Sequence, residues 1–211
     1  IEPAVEALAM LGLGGSVATP PEGIEADVLV VSSFADLDAR GAEAKGRIVL
    51  YDVPYTNYGE TVRYRGAGAS RAAQHGAVAA LVRAVGPVGL RTPHTGGMGY
   101  AENQPRIPVA AISAEDSARL ARLQQRGQRI RVRLKMEARF EAETESANVV
   151  AELRGREKPE EIVVVGCHTD SWDVGTGASD DAVGCVVTWE AARLMKALNL
   201  RPRRTVRVVL L

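Results

Sequence analysis

Residues 163–184, VVVGCHTDSWDVGTGASDDAVG, decide the fold. An apolar run ends on Cys167-His168-Thr169-Asp170, a glycine-rich turn follows, and the pair Asp180-Asp181 opens a segment of helical pattern. The run 161–167, EIVVVGC, is apolar on both faces, as a central strand covered on both sides requires. Residues 182–198 place Val183, Val186, Val187, Leu194 and Leu198 at spacings of three and four, with Glu190 as the polar exception, which predicts a helix. Residues 146–155 supply an earlier strand, and RRTVRVVLL at 203–211 a later one. Strand, strand, helix, strand is the grammar of a doubly wound α/β sheet.

Upstream, the pattern changes. From Ile130 to Phe140, apolar and charged residues alternate strictly, which predicts a half-exposed strand in a small mixed or antiparallel sheet. Residues 22–140 read as a separate compact α/β module. It has strands at 26–31, 47–52 and 108–113, and an Ala-rich helix from residue 66 that stops near Gly76 and leads into another strand. Ser113 and Asp116 resemble an N-cap and its N3 partner for a helix running to Gly127. Residues 3–13 fit a short helix ended by Gly12, Gly14 and Gly15.

Composition narrows the field. The chain has 211 residues, 46% apolar and 25% charged, with 26 basic and 26 acidic side chains, so it reads as globular with nothing that attracts nucleic acid. No apolar run approaches the ~20 residues of a membrane span. The last residues are apolar with no turn or polar tail, so the chain reads as a fragment of something longer.

The candidate site follows from the opening stretch. His168 stands at the carboxyl end of a strand, where open α/β sheets collect ligands. Asp170, two residues on, falls on the same side and can accept a hydrogen bond from one ring nitrogen, fixing the tautomer and freeing the other nitrogen for a metal. Asp180 returns after the glycine turn, and an imidazole converging with a carboxylate suits Zn²⁺. The plainer reading makes Asp180 and Asp181 helix N-terminal carboxylates favoured by the dipole; their company with His168 favours the metal. Asp173 reads as a turn residue, and His75 and His94 as structural. Cys167 points away from His168 by alternation, and it and Cys185 read as buried thiols.

The stretch HTDSWDVGTGASDD at 168–181 resembles the first metal motif of the zinc metallopeptidases of family 28, in the branch that carries an inserted protease-associated domain. PHTG at 93–96 and WEAARLMKALNLRPRRTVRVVL at 189–210 extend the likeness over nearly the whole chain. The resemblance implies a partial doubly wound mixed sheet of a zinc exopeptidase plus an inserted protease-associated α/β domain. Residues 1–21 would be an N-terminal helix of the catalytic domain, 22–140 the protease-associated domain, and 141–211 the first part of the catalytic domain. His168 resembles a terminal ligand of one zinc, Asp180 the carboxylate bridging two zincs, and Asp170 the aspartate that orients the histidine. The peptide after the bridging aspartate, Asp180-Asp181, would be cis.

The implied chemistry is hydrolysis of dipeptides or short peptides, of carboxypeptidase, aminopeptidase or dipeptidase type, with two zinc ions and a glutamate base. That glutamate and the later ligands would lie beyond residue 211, leaving the fragment inactive. The resemblance also implies an extracytoplasmic protein and leaves a homodimer open. Two other readings compete: a non-catalytic receptor or binding protein on the same fold, and a dizinc hydrolase of non-peptide amides.

Overall fold

The computed structural model describes residues 5–211. The chain forms two compact units, one ending at Glu141 and one spanning Ala142–Leu211.

In the first unit, strands β1 (Met10–Gly12), β2 (Ile24–Val31), β3 (Ile48–Tyr51), β4 (Ala79–Arg83), β5 (Val109–Ile112) and β6 (Arg131–Leu134) make one sheet in the order β1-β5-β4-β3-β2-β6. β2 to β5 are parallel, and β1 and β6 close the two edges antiparallel. Helices α1 (Phe34–Ala39), α2 (Gly41–Ala44), α3 (Tyr58–Gln74) and α4 (Ala114–Gln125) complete the unit. Alternation splits the strand residues between two cores. Leu29, Val31, Val49, Tyr51 and Val82 join Ala69 and Ala72 of α3. Val28, Val30, Ile48, Leu50 and Leu81 join Leu120 of α4. Each such side chain, taken fully out of water, contributes roughly 1.5–3 kcal/mol.

Local chemistry sets the helices. Asn57 Oδ1 accepts from the Glu60 N–H at 2.9 Å, starting α3 at Tyr58, eight residues before the expected start. Position 68 must be glycine, because a Cβ there would lie 2.8 Å from Tyr51 Cε2. The Tyr51 hydroxyl donates to the Gly68 carbonyl at 2.8 Å, and burial pushes its pKa upward. Ser113 caps α4 as expected, accepting from Asp116 N–H at 3.1 Å. The Asp116 carboxylate does not reach back to complete the box; it accepts from Ala9 N–H at 2.8 Å and from Arg91 Nε at 3.0 Å.

Two expectations for this unit are corrected. The helix over 3–13 is not formed: its first two residues lie outside the described ones, and Met10–Gly12 is strand β1. The open edge of β5 offers unpaired backbone groups, and β1 satisfies them in an antiparallel register, Met10 opposite Ile112. The segment therefore joins the sheet of the first unit. The strand over 130–140 is shorter than its alternation: only Arg131–Leu134 pairs, antiparallel to β2, as an edge of the six-stranded sheet. The inward set stays buried to Met136, while Phe140 is exposed.

The second unit holds β7 (Val149–Leu153), β8 (Lys158–Cys167), α5 (Val183–Ala197) and β9 (Arg204–Leu210). β9 lies between its partners, antiparallel to β7 and parallel to β8. The expected central strand, β8, is thus an edge among the described residues, because the crossover through α5 brings β9 to one side of it only. The helix forms where expected, but its valine stripe does not face the sheet. Gly184, Cys185, Thr188, Glu190, Ala192 and Met195 are its half-buried positions, while Val183, Val186 and Val187 are exposed. Small residues on the inner face allow the helix to approach the strands closely.

The cysteines are also corrected: Cys167 and Cys185 are not thiols but a disulfide, with Cα atoms 5.1 Å apart. Alternation does send Cys167 away from His168, and it is buried. On that side it meets the first turn of α5, which presents Cys185. Among the described residues no helix is long and apolar enough to cross a membrane.

Candidate metal centre

The site is built where β8 ends. Leu211 N–H donates to the Cys167 carbonyl at 3.0 Å, and the Leu211 carbonyl accepts from both Thr169 N–H at 2.6 Å and Thr169 Oγ1 at 2.7 Å. This pairing extends the ladder past the strand and fixes the backbone that carries His168.

The imidazole is held at both nitrogens. His168 Nδ1 lies 2.8 Å from Asp170 Oδ1 and 3.1 Å from the Asp170 carbonyl. On the other edge, Nε2 lies 2.9 Å from Asp180 Oδ1. The chain reaches Asp180 through the turn after Ser171 and then enters Ala178–Ala182, a wide irregular turn in which Asp180 and Asp181 are non-helical. The Asp180-Asp181 peptide is cis, as the resemblance implied. Asp181 serves differently: its Oδ2 faces the His168 N–H at 3.4 Å. Glycine at 184 makes room for that carboxylate, since a Cβ there would sit 2.3 Å from Asp181 Oδ1.

The electrostatics follow from the acceptors. Both Asp170 oxygens accept, so Nδ1 carries a proton. Nε2 then faces a carboxylate oxygen, and a neutral ring would point a lone pair at it. Either a second proton or a cation resolves that conflict. Accordingly the His168 pKa is raised, first by the hydrogen bond to the Asp170 carbonyl and further by the Asp170 and Asp180 carboxylates. An imidazole nitrogen and a carboxylate oxygen converging in this way fit zinc, which takes N and O ligands. The site is open: the Asp170 and Asp180 side chains are 87% and 89% exposed. It lines a cavity of about 330 Å³ together with Ser171 and Trp172.

The sequence-predicted residues His168, Asp170 and Asp180 are therefore brought together. Among the described residues no group of three or more His, Cys, Asp or Glu is arranged as a metal cage. His75 and His94 are elsewhere: His75 Nε2 lies 2.9 Å from Asp38 Oδ1, and His94 Nδ1 lies 3.2 Å from Arg65 Nη1. The disulfide beside the site was missed by sequence reasoning. Its signal was the stripe of small residues Gly184, Cys185, Thr188 and Ala192, which marks the inner face of α5 and points Cys185 at the strand end.

This α/β unit thus gathers a histidine and two carboxylates at a strand end. Residues 148–211 match the profile of Peptidase family M28. Over its whole length the chain is similar to carboxypeptidase Q. The protein of that name from Xenopus laevis is 53% identical over 210 residues, covering 100% of this chain and 45% of that protein. The one from Homo sapiens is 49% identical over 210 residues, with 100% and 44% covered. Among solved structures, a Peptidase M28 precursor from Shewanella amazonensis SB2B matches with a TM-score of 0.91 at 37% identity, covering 100% of this chain and 49% of that one. BSAP, a zinc aminopeptidase from Bacillus subtilis, matches with a TM-score of 0.64 at 25% identity, covering 98% and 46%. The chain spans about half the length of the curated relatives it matches.

Proposed function

We propose that the protein is a dizinc exopeptidase hydrolysing dipeptides or short peptides. The observation that carries this reading is the His168 imidazole held between Asp170 and Asp180. His168, through Nε2, and the Asp180 carboxylate would hold the zinc. Asp170 keeps the proton on Nδ1, which fixes the ring and raises the basicity of Nε2. Asp181 steadies the backbone beneath the ring, and Trp172 and Ser171 wall the cavity where substrate would enter. When bound, the zinc pair supplies Lewis acidity and an activated water. Two donors do not complete a four-coordinate site. In this reading the remaining ligands and the general base come from sequence outside these 211 residues, as the greater length of the relatives suggests.

In the same reading, residues 22–140 are a protease-associated domain and 141–211 the first part of the catalytic domain. The Cys167–Cys185 disulfide supports an extracytoplasmic setting, where such bonds persist. The retained site residues favour an enzyme over a receptor on the same fold. Metal analysis and a peptide panel on the full-length protein test the proposal. Two zinc ions per chain and hydrolysis of unblocked dipeptides are expected, both lost in His168→Ala. A full-length protein that holds no zinc pair would leave the receptor reading in its place.

A further inference from the structure

We propose that the Cys167–Cys185 disulfide is a positioning element of the metal centre, setting zinc affinity and making zinc retention sensitive to reduction. The inference rests on the zinc reading above. The bridge joins residues 18 apart, and every site residue lies inside the loop it closes. Cys167 immediately precedes His168. Cys185 immediately follows Gly184, the glycine that makes room for Asp181, and stands five residues after Asp180.

Packing does not hold this loop. From His168 to Gly184 no residue is buried. Its contacts are polar and mostly internal: His168 with Asp170, Asp180 and Asp181, and Thr169 with Leu211. The distance between the histidine and the returning aspartate is therefore set by two fixed points, the end of β8 and the first turn of α5. The disulfide is the covalent tie between those points. Anchored at Cys167 on the strand and Cys185 on the helix, the loop has fewer arrangements to lose when a metal draws His168 and Asp180 together. Once the bridge is opened, the same ligands must be gathered from a looser ensemble. Groups that orient metal ligands in this indirect way are typically worth about 10–100-fold in metal affinity.

The test uses the full-length protein in three forms: oxidised wild type, wild type reduced with a water-soluble phosphine, and Cys167→Ala/Cys185→Ala. In the reduction the S–S bond takes up two electrons and two protons to give two thiols, and the phosphine is oxidised to its oxide with oxygen from water. The alanine variant removes thiols that could themselves bind zinc. Zinc affinity is read by competition with a chromophoric chelator, hydrogen exchange follows amides 168–184, and circular dichroism checks the fold. The expected result is zinc binding about 10–100-fold weaker in both altered forms, faster exchange confined to 168–184, and recovery of affinity when the reduced wild type is reoxidised. Should the alanine variant fail to fold, the reduced and reoxidised wild type carry the comparison. Affinity unchanged within twofold would overturn the positioning role and leave the zinc reading intact. Faster exchange throughout β7, β8 and β9 would reduce the bridge to a general staple and overturn it equally. Oxidised wild type that holds no zinc would overturn the zinc reading, and the positioning role with it.

Discussion

The two units contain equally apolar parallel strands and treat them in opposite ways. In the first, Ile48, Val49, Leu50 and Tyr51 of β3 are all fully buried, with α3 over one face and α4 over the other. In the second, Val163, Val164 and Val165 of β8 are 46%, 60% and 36% exposed. Only Cys167, Thr205 and Val208 are buried there among the described residues. A strand apolar on both faces is written for two covers. The first unit supplies both covers within itself; the second supplies α5 for one face and leaves apolar surface on the strand and on the helix.

That contrast can be broken by truncating equivalent strands. Leu50→Ala should destabilise the first unit by about 2–5 kcal/mol in urea unfolding, the cost of a cavity in a closed core. Val164→Ala in the 211-residue chain should stay within about 0.5 kcal/mol, as surface changes do. A costly Val164→Ala in this chain would mean that β8 is already enclosed and would dissolve the comparison. A smaller effect sharpens the functional side. Asp170→Asn should weaken zinc binding by the full-length protein about 10–100-fold by chelator competition, with the unfolding midpoint of the first unit unmoved. A shifted midpoint would tie the two units together energetically. The helix cap should matter less than Asp170: Asn57→Ala should cost about 1 kcal/mol in unfolding of the first unit and leave zinc affinity unchanged.

Much of this was legible before any coordinates. Period-two and apolar runs located β2, β3, β5, β8 and β9, because strands of a covered sheet need contiguous Val, Ile and Leu. The convergence of His168, Asp170 and Asp180 was legible because a histidine at a strand end, an aspartate two residues on and an acidic pair after a glycine turn can fold back on one another. What failed did so for identifiable reasons. Residues 10–12 carry a helix-like pattern, yet the vacant edge of β5 outweighs a weak local preference. The inner face of α5 was misread because hydrophobicity pointed to the valines, whereas the half-buried positions include Gly184, Cys185 and Thr188. Both cysteines were read as buried but as separate thiols, because a sequence pattern gives burial and not the distance between a strand end and a helix turn.

The placement of β8 at the edge of its sheet has a consequence for anyone handling this chain by itself. From Ile162 to Cys167 the strand pairs with β9 on one side only, and its outer backbone N–H and C=O groups have no strand beside them among the described residues. The segment is valine-rich, and it carries no charge between Glu161 and His168 to repel a neighbour. Such an edge templates strand addition from another molecule. Prepared alone, the 211-residue chain should self-associate through β8 as its concentration rises, and a lysine in place of Val164 should delay that association.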